Sequence, residues 1–148
     1  MHKDVSLWQV LILLLLFLLL FPKVLSVSTL PADLLVDHGD RLVEIPGIVR
    51  KIYATTEMGT FLAYALEPDC ILGWNRGLSP ELGFAVQPQY HALPTLGTWD
   101  ETYQTMRVSD LQLLAPDLII HYAPADEINR QLADEVQEML GVPTVLLD

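Results

Sequence analysis

Residues 111–120 read Leu-Gln-Leu-Leu-Ala-Pro-Asp-Leu-Ile-Ile, and this run indicates the class of fold. Ala115-Pro116-Asp117 is expected to close a short helix, because a proline cannot continue one. Leu118-Ile119-Ile120 then follows as a strand that is apolar at every position. Such strands are typical of buried parallel sheets, since helices cover both faces of the sheet. Parallel sheets bind ligands beyond the carboxyl ends of their strands, so we expect a binding site after Ile120.

The rest of the chain alternates between strand patterns and helix patterns. Strands are predicted at residues 42–45, 51–55, 70–74, 118–120 and 143–147. Turn residues at 38–40 precede the first strand, which is expected to belong to a short hairpin. We therefore predict an α/β fold, a Rossmann-like lobe with a roughly four-stranded parallel sheet. Helices flank this sheet, and the short β-hairpin precedes it.

Apolar spacings of three and four residues predict two longer helices. The first, capped by Thr55 or Thr56, is expected to bury Met58, Phe61, Leu62, Ala65 and Leu66. The second ends at Gly141 and is expected to bury a stripe formed by Ile128, Leu132, Val136 and Leu140. Capping-box spacings at residues 98–101 and 109–112 predict two further helix starts. Residues 75–100 otherwise read as a long irregular stretch.

The amino-terminal residues 1–26 are predicted to direct export. Leu7 to Phe21 is apolar except for Gln9. A run of about 15 residues fits the core of a signal peptide better than a membrane span, which needs about 20. We expect a cleaved signal peptide, and an uncleaved anchor is the alternative. Residues 27–148 would then form one small domain outside the cytoplasm.

Composition and charge exclude several classes of function. The formal net charge of −11 argues against nucleic acid and anionic lipid as partners, because both require clustered lysine and arginine. The single cysteine, Cys70, cannot form an internal disulfide and reads as a small core residue. The four histidines show no metal-binding spacing, so no metal site is expected. No nucleophile–base pair or phosphate loop stands out, so no enzymatic activity is expected.

Three stretches together resemble a known family. The first is 39–46 with 50–52, the second is 56–74, and the third joins 93–97 to 111–120. In this order and spacing they resemble the first lobe of the periplasmic substrate-binding proteins of ABC transporters for iron–siderophore complexes, haem and cobalamin. The family has a second lobe, and we expect these 148 residues to cover only the first. Pro68-Asp69 departs from the family's usual glycine, and the loop 77–90 matches no particular ligand class.

The resemblance implies a substrate-binding component of an ABC importer. It would capture a ferric siderophore, haem or cobalamin as ligand, with no cofactor of its own. In the periplasm it would hold this ligand between two lobes and deliver it to a permease in the inner membrane. Two other functions remain open. One is a membrane-anchored extracytoplasmic sensor or interaction domain, and the other is an extracytoplasmic enzyme whose site lies in residues 75–100.

Residues after the strand ends are the candidates for ligand contact. The expected ligand-binding residues are Thr55, Glu57, Trp74, Arg76, Trp99 and Tyr122, and Thr56, Asn75 and His121 occupy similar positions. Aromatic faces can stack on a flat macrocycle or a catecholate, and a guanidinium can pair with an anionic group. Alternatively, Trp74 packs under the following loop and Arg76 pairs with an acid such as Glu81.

The resemblance also implies acidic residues that dock on the permease. By position, the candidates are Asp126 and Glu127, near the start of the second predicted helix. Acids in the first turn of a helix are also favoured by the helix dipole, so their presence has a purely structural explanation as well.

Overall fold

The computed structural model describes residues 32–148, and the predicted signal at residues 1–26 lies outside them. The strands β1 (Asp33–Val36) and β2 (Leu42–Ile45) form an antiparallel hairpin. The strands β3 (Ile52–Ala54), β4 (Leu118–Tyr122) and β5 (Thr144–Leu147) form a parallel sheet in the order β3-β4-β5. The predicted α/β fold with a preceding hairpin is confirmed.

Four α-helices connect these strands in the described residues. They are α1 (Glu57–Leu66), α2 (Pro80–Gly83), α3 (Val108–Leu114) and α4 (Glu127–Leu140). Two 3-10 turns lie at Pro68–Cys70 and Pro88–Tyr90. Both long helices were expected, whereas α2 and the second 3-10 turn interrupt the stretch predicted as irregular.

The predicted strand at residues 70–74 is present only as an extended segment. Its ends form two isolated parallel bridges, between Ile52 and Ile71 and between Trp74 and Thr95. Because each end pairs with a different neighbour, the segment forms no continuous ladder, and within residues 32–148 the parallel sheet has three strands rather than four. The segment nevertheless extends the sheet beyond β3 in the parallel direction.

A glycine allows this segment to approach its outer neighbour closely. The N–H of Trp74 donates to the carbonyl of Pro94 at 2.9 Å, and the N–H of Leu96 donates to the carbonyl of Trp74 at 2.7 Å. A Cβ atom on Gly73 would lie only 2.4 Å from the Pro94 oxygen. Any side chain at this position would therefore push the two segments apart.

The helix α1 buries a different face from the one predicted. Its buried residues are Gly59, Thr60 and Ala63, whereas Met58 is 63% exposed and Leu66 is 72% exposed. A Cβ atom on Gly59 would lie 3.1 Å from the Cβ of Ala54 in β3. The helix thus packs so closely on the sheet that only small residues fit beneath it, and the larger apolar residues lie at its sides.

The helix α4 ends as predicted, and its buried face is rotated slightly. Gly141 closes the helix in the left-handed conformation, with φ of 65°. The fully buried residues are Asn129, Ala133 and Val136, and Ile128 from the predicted stripe is exposed. The polar Asn129 takes the inward position because it hydrogen-bonds a buried side chain of β4.

Of the two capping-box predictions, the first is wrong, whereas the second finds a real short helix, α3, which ends at Ala115 as predicted but does not use Ser109 as its cap. Thr98 starts no helix, because the carboxylate of Asp100 accepts hydrogen bonds from the N–H groups of residues 102 and 103 and forms a tight turn instead. Ser109 lies inside α3, which begins one residue earlier at Val108. Both spacings are short enough to occur in turns and helix interiors as well as at helix starts.

Apolar clusters cover both faces of the parallel sheet. In β3, Tyr53 and Ala54 belong to opposite clusters, and in β4 Ile119 and Ile120 do the same. This alternation follows from the two-residue repeat of a strand, which directs successive side chains to opposite faces. It explains why β4 is apolar at successive positions.

A buried carboxylate, that of Asp37, links the hairpin to the sheet and is 4% exposed. One carboxylate oxygen accepts from the N–H groups of Gly39 at 2.9 Å and Arg41 at 3.0 Å. The other accepts from the N–H of Leu146 in β5 at 2.9 Å and from the Arg41 guanidinium at 3.0 Å. Four donors therefore compensate this carboxylate for its loss of water.

We predict that Asp37→Ala lowers the free energy of unfolding by about 3–5 kcal/mol, because it leaves the N–H groups of Gly39, Arg41 and Leu146 without their acceptor and removes one of the two carboxylates that pair with the nearly buried Arg41 guanidinium. Urea unfolding followed by circular dichroism measures this loss. The matched control is Asp33→Ala, since Asp33 is exposed on the same hairpin and should change stability by less than about 0.5 kcal/mol. Equal losses of unfolding free energy in the two variants would contradict the stabilising role of the Asp37 carboxylate.

We further predict that Gly73→Ala lowers the free energy of unfolding by about 1–3 kcal/mol through the clash with the Pro94 carbonyl. Gly77 is the control, because a Cβ atom there meets nothing within 4 Å. Gly77→Ala should leave the urea midpoint almost unchanged. A Gly73 variant as stable as the Gly77 variant would show that the segments separate without cost.

Candidate functional site

A cleft of about 480 Å³ lies at the carboxyl edge of the parallel sheet, and we call it the edge cleft. Its lining comes from the residues after β3, after the 71–74 segment and after β4, together with the 98–100 turn and the residue after β5. The lining residues are Thr56, Glu57, Met58, Arg76, Thr98, Asp100, Tyr122, Ala123, Pro124 and Asp148. The cleft thus lies where the sequence predicts a binding site.

Two other cavities have similar size but a different setting. One of about 410 Å³ lies between the hairpin and the start of β5, beside Glu44 and Pro143. Another of about 520 Å³ lies beside α2, next to Phe84 and His91. Neither collects the carboxyl ends of several strands, so the edge cleft is the better candidate site.

Half of the expected ligand-binding residues line the edge cleft. Glu57, Arg76 and Tyr122 lie together in its wall. The other three do not line it, because Thr55 is 0%, Trp74 3% and Trp99 5% exposed. Those three side chains belong to the packed interior of the lobe.

The first turn of α1 is held against the end of β4 by Thr56. Its hydroxyl donates to the carbonyl of Tyr122 at 3.0 Å and accepts from the N–H of Gly59 at 3.3 Å. The same side chain therefore caps the helix and joins it to the sheet. As a result, Glu57 and Tyr122 face the same space.

An ion pair between Glu57 and Arg76 lies in the wall of the edge cleft. The guanidinium Nε is 3.2 Å from the Glu57 carboxylate, and the Arg76 side chain is 70% exposed. The partner is Glu57 rather than the Glu81 suggested by sequence. Exposed pairs of this kind contribute about 1 kcal/mol or less, so Arg76 could leave Glu57 for a bound anion at low cost.

Asn75 fixes the position of Arg76 from beneath. Its side chain is buried, and its amide nitrogen donates to the carbonyls of Ala54 and Gly97, both at 2.9 Å. Its amide oxygen accepts from the hydroxyl of Thr60 at 2.5 Å. Asn75 therefore joins β3, α1 and the turn at Gly97, a role that no local sequence pattern reveals.

Trp74 packs beneath the loop that follows it, as the alternative interpretation of the sequence suggested. Its indole N–H donates to the carbonyl of Tyr90 at 2.9 Å. Its ring centroid lies 5.6 Å from those of Phe61 and Tyr64. Trp99 packs on the opposite face of the sheet, and its backbone N–H donates to the carbonyl of Thr55.

His121 is buried at the end of β4, and both of its ring nitrogens are engaged. Nδ1 lies 2.6 Å from the hydroxyl of Thr55, and Nε2 lies 2.9 Å from the amide oxygen of Asn129. Burial is the main cause that lowers the pKa of His121 below its ordinary value. The residue therefore remains neutral around neutral pH.

Negative charge predominates in the edge cleft. The carboxylates of Glu57, Asp100 and Asp148 line it together with one guanidinium, that of Arg76. Within residues 32–148, no group of three or more histidine, cysteine or acidic side chains is arranged to hold a metal ion. The cleft offers an aromatic ring, a weakly held guanidinium and several acceptors.

The two candidate docking acids differ in their surroundings. The carboxylate of Asp126 caps α4, where it accepts from the N–H and the side-chain amide of Asn129 at 2.9 and 3.1 Å. The side chain of Glu127 is 67% exposed and contacts Arg130 at 3.2 Å. Both residues are exposed, but only the carboxylate of Glu127 is free of the helix cap and can form an ion pair with a partner without uncapping α4.

Cys70 is half-buried and lies outside the cleft lining. Its thiol lies 3.5 Å from the carbonyl of Val49. Desolvation raises the pKa of this thiol, and the nearby charges of Glu67 and Asp69 add to the rise. The surroundings of Cys70 therefore disfavour a thiolate nucleophile.

Over residues 32–148, each helix is too short or too polar to cross a lipid bilayer. The sequence matches no family model, and no curated protein shows significant similarity to it.

Several solved structures share the fold of the lobe. An ABC transporter solute-binding protein from Sulfurospirillum deleyianum matches with a TM-score of 0.63 and 16% identity, over 77% of this chain and 36% of that one. A periplasmic solute-binding protein from Veillonella parvula matches with a TM-score of 0.56 and 16% identity, over 78% and 35%. The molybdate periplasmic binding protein MolA of a Haemophilus influenzae ABC transporter matches with a TM-score of 0.54 and 21% identity, over 77% and 34%.

These similarities concern the fold, because all three identities are low. The chain spans about a third of the length of the solved structures that it matches. The lobe is thus similar in fold to part of each of these solute-binding proteins.

Proposed function

We propose that this chain provides the amino-terminal lobe of an exported solute-binding protein that serves an ABC importer. One observation carries the proposal. Glu57, Arg76 and Tyr122 converge at the carboxyl edge of a parallel sheet, in a lobe whose fold is similar to that of solute-binding proteins. In this proposal, residues 1–26 direct export and residues 27–148 form the lobe.

The edge cleft would supply one half of the binding site. It is open to solvent, so a second lobe is needed to enclose a ligand from the other side. Its half-buried Tyr122 ring offers a face for stacking, and Arg76 is held only by an exposed ion pair. Both groups can engage a ligand without disturbing the buried hydrogen bonds beneath them.

We infer a bulky chelate or tetrapyrrole as the ligand class, namely a ferric siderophore, haem or cobalamin. Three carboxylates in the cleft against one guanidinium would repel a small oxyanion such as the molybdate bound to MolA. A large planar or chelated ligand spreads its charge and offers area for stacking on Tyr122. An acidic group on its periphery could take Arg76 from Glu57.

The surroundings of the cleft favour binding over catalysis. Among residues 32–148, the buried His121 has both ring nitrogens in hydrogen bonds and Cys70 lies outside the cleft lining. Neither is placed to act as base or nucleophile in the cleft. For the permease, we propose that Glu127 rather than Asp126 makes the docking contact, since Asp126 is committed to the helix cap.

We predict weak binding of cobalamin, haemin or a ferric hydroxamate siderophore by this lobe, because it supplies only half of the site. Nuclear magnetic resonance measures such binding, through shifts of backbone amides for cobalamin and through line broadening for the ferric ligands. The affected amides should surround Arg76 and Tyr122. Tyr122→Ala and Arg76→Ala should each weaken binding about tenfold.

Two matched variants control for surface changes in general. Tyr103→Ala removes an exposed tyrosine, and Arg107→Ala removes an arginine that is 78% exposed and paired with Asp110. Neither residue lines the edge cleft, so neither should alter the affinity. Perturbations spread over the whole surface, or the absence of any effect with all three ligands, would refute the proposal.

A further inference from the structure

Three buried side chains and the exposed capping carboxylate of α4 form a continuous hydrogen-bonded chain beneath the edge cleft. Thr55 lies after β3, His121 lies at the end of β4, and Asn129 lies in the first turn of α4. The amide nitrogen of Asn129 continues the chain to the carboxylate of Asp126 at 3.1 Å. We call these four residues the His121 chain.

The direction of each hydrogen bond follows from the acceptor at its end. The carboxylate of Asp126 can only accept, so the amide nitrogen of Asn129 points to it and the amide oxygen points to His121. Nε2 of His121 must then carry the hydrogen, and Nδ1 accepts from the hydroxyl of Thr55. The three hydrogen bonds that join the four residues all have a donor facing an acceptor only while His121 is neutral.

A second proton on His121 would break this arrangement. It would sit on Nδ1, 2.6 Å from the Thr55 oxygen. The new N–H of the ring would then point at the hydrogen of the Thr55 hydroxyl. The hydroxyl would have to turn away into a fully buried environment. A charged imidazolium would also lack the water that it needs.

The His121 chain supports the residues that line the edge cleft. Thr56 and Tyr122 follow Thr55 and His121 directly in sequence, and both line the cleft. The carbonyl of Thr55 also accepts from the N–H of Trp99 at 2.9 Å, next to the lining residue Asp100. Separation of Thr55 from His121 would therefore displace three parts of the cleft together.

Besides burial, groups on three elements affect the pKa of His121. Asp100 and Glu101, in the turn after Trp99, favour its charged form, and so does its hydrogen bond to Asn129 in α4. Arg41 of the hairpin, itself paired with Asp37 and Asp134, opposes the charge. Desolvation is the largest effect and also opposes it.

We propose that the His121 chain is a proton-sensitive latch, in which neutral His121 holds the base of the edge cleft together and protonation opens it. The pKa of His121 is lowered in the closed state and returns to about 6.5 once the residue meets water. The closed state is therefore fully favoured above about pH 6.5 and loses stability as the pH falls below that value.

Hydrogen exchange of single backbone amides tests the latch on the full chain. The reporters are the N–H groups of Trp99, bonded to Thr55, and of Asn129, bonded to Asp126. Uptake of one proton on opening predicts about a tenfold loss of protection between pH 7.5 and pH 5.5, after correction for intrinsic exchange. This loss should be independent of urea below the unfolding transition, as a local opening requires.

Variants separate the latch from other titrating groups. His121→Gln should abolish the pH-dependent loss of protection at both reporter amides. His91→Gln changes an exposed histidine that does not belong to the His121 chain, so it should preserve this loss. If His121→Gln does not fold, the His121 ring resonances of the unmodified protein serve instead, and they should titrate below pH 6.5. Unchanged protection at pH 5.5, or a loss that follows urea as global unfolding does, would overturn the proposal.

Discussion

The buried carboxylate of Asp37 is the contact on which the arrangement of this lobe depends. It joins the hairpin to β5, the outermost strand of the parallel sheet. A carboxylate in this position is stable because four donors surround it, and removal of the Arg41 guanidinium would leave its buried charge without an ionic partner. The hairpin and the sheet therefore form as one unit rather than as two independent pieces.

The hairpin also occupies the hydrogen-bonding groups on the open side of β5. The carbonyl of Thr144 accepts from Arg41 at 3.1 Å, and the carbonyl of Leu146 accepts from the N–H of His38 at 3.1 Å. The N–H of Asp148 donates to the His38 ring at 2.9 Å. An edge strand with its groups occupied in this way cannot recruit a further strand, so the sheet ends here. The same contacts set the position of Asp148 in the edge cleft.

The sequence predicted the order of elements better than their packing. The α/β class, the hairpin and the end of α4 at Gly141 follow from patterns within a few residues. The buried face of α1 could not be predicted, because Gly59 faces the sheet only on account of how closely the helix approaches Ala54. Likewise, the bridges of residues 71–74 depend on partners about twenty residues away on either side.

The candidate site shows a regularity that explains which predicted residues line it. At three strand or segment ends, a buried polar residue precedes one that faces the cleft: Thr55 before Thr56, Asn75 before Arg76, and His121 before Tyr122. Successive side chains of an extended chain point in opposite directions, so one residue of each pair points inward. An inward polar group must find hydrogen bonds, and these bonds fix the backbone from which its neighbour projects. The carboxyl ends of the parallel strands therefore locate the site, and the alternation within each pair determines which of its two residues can contact a ligand.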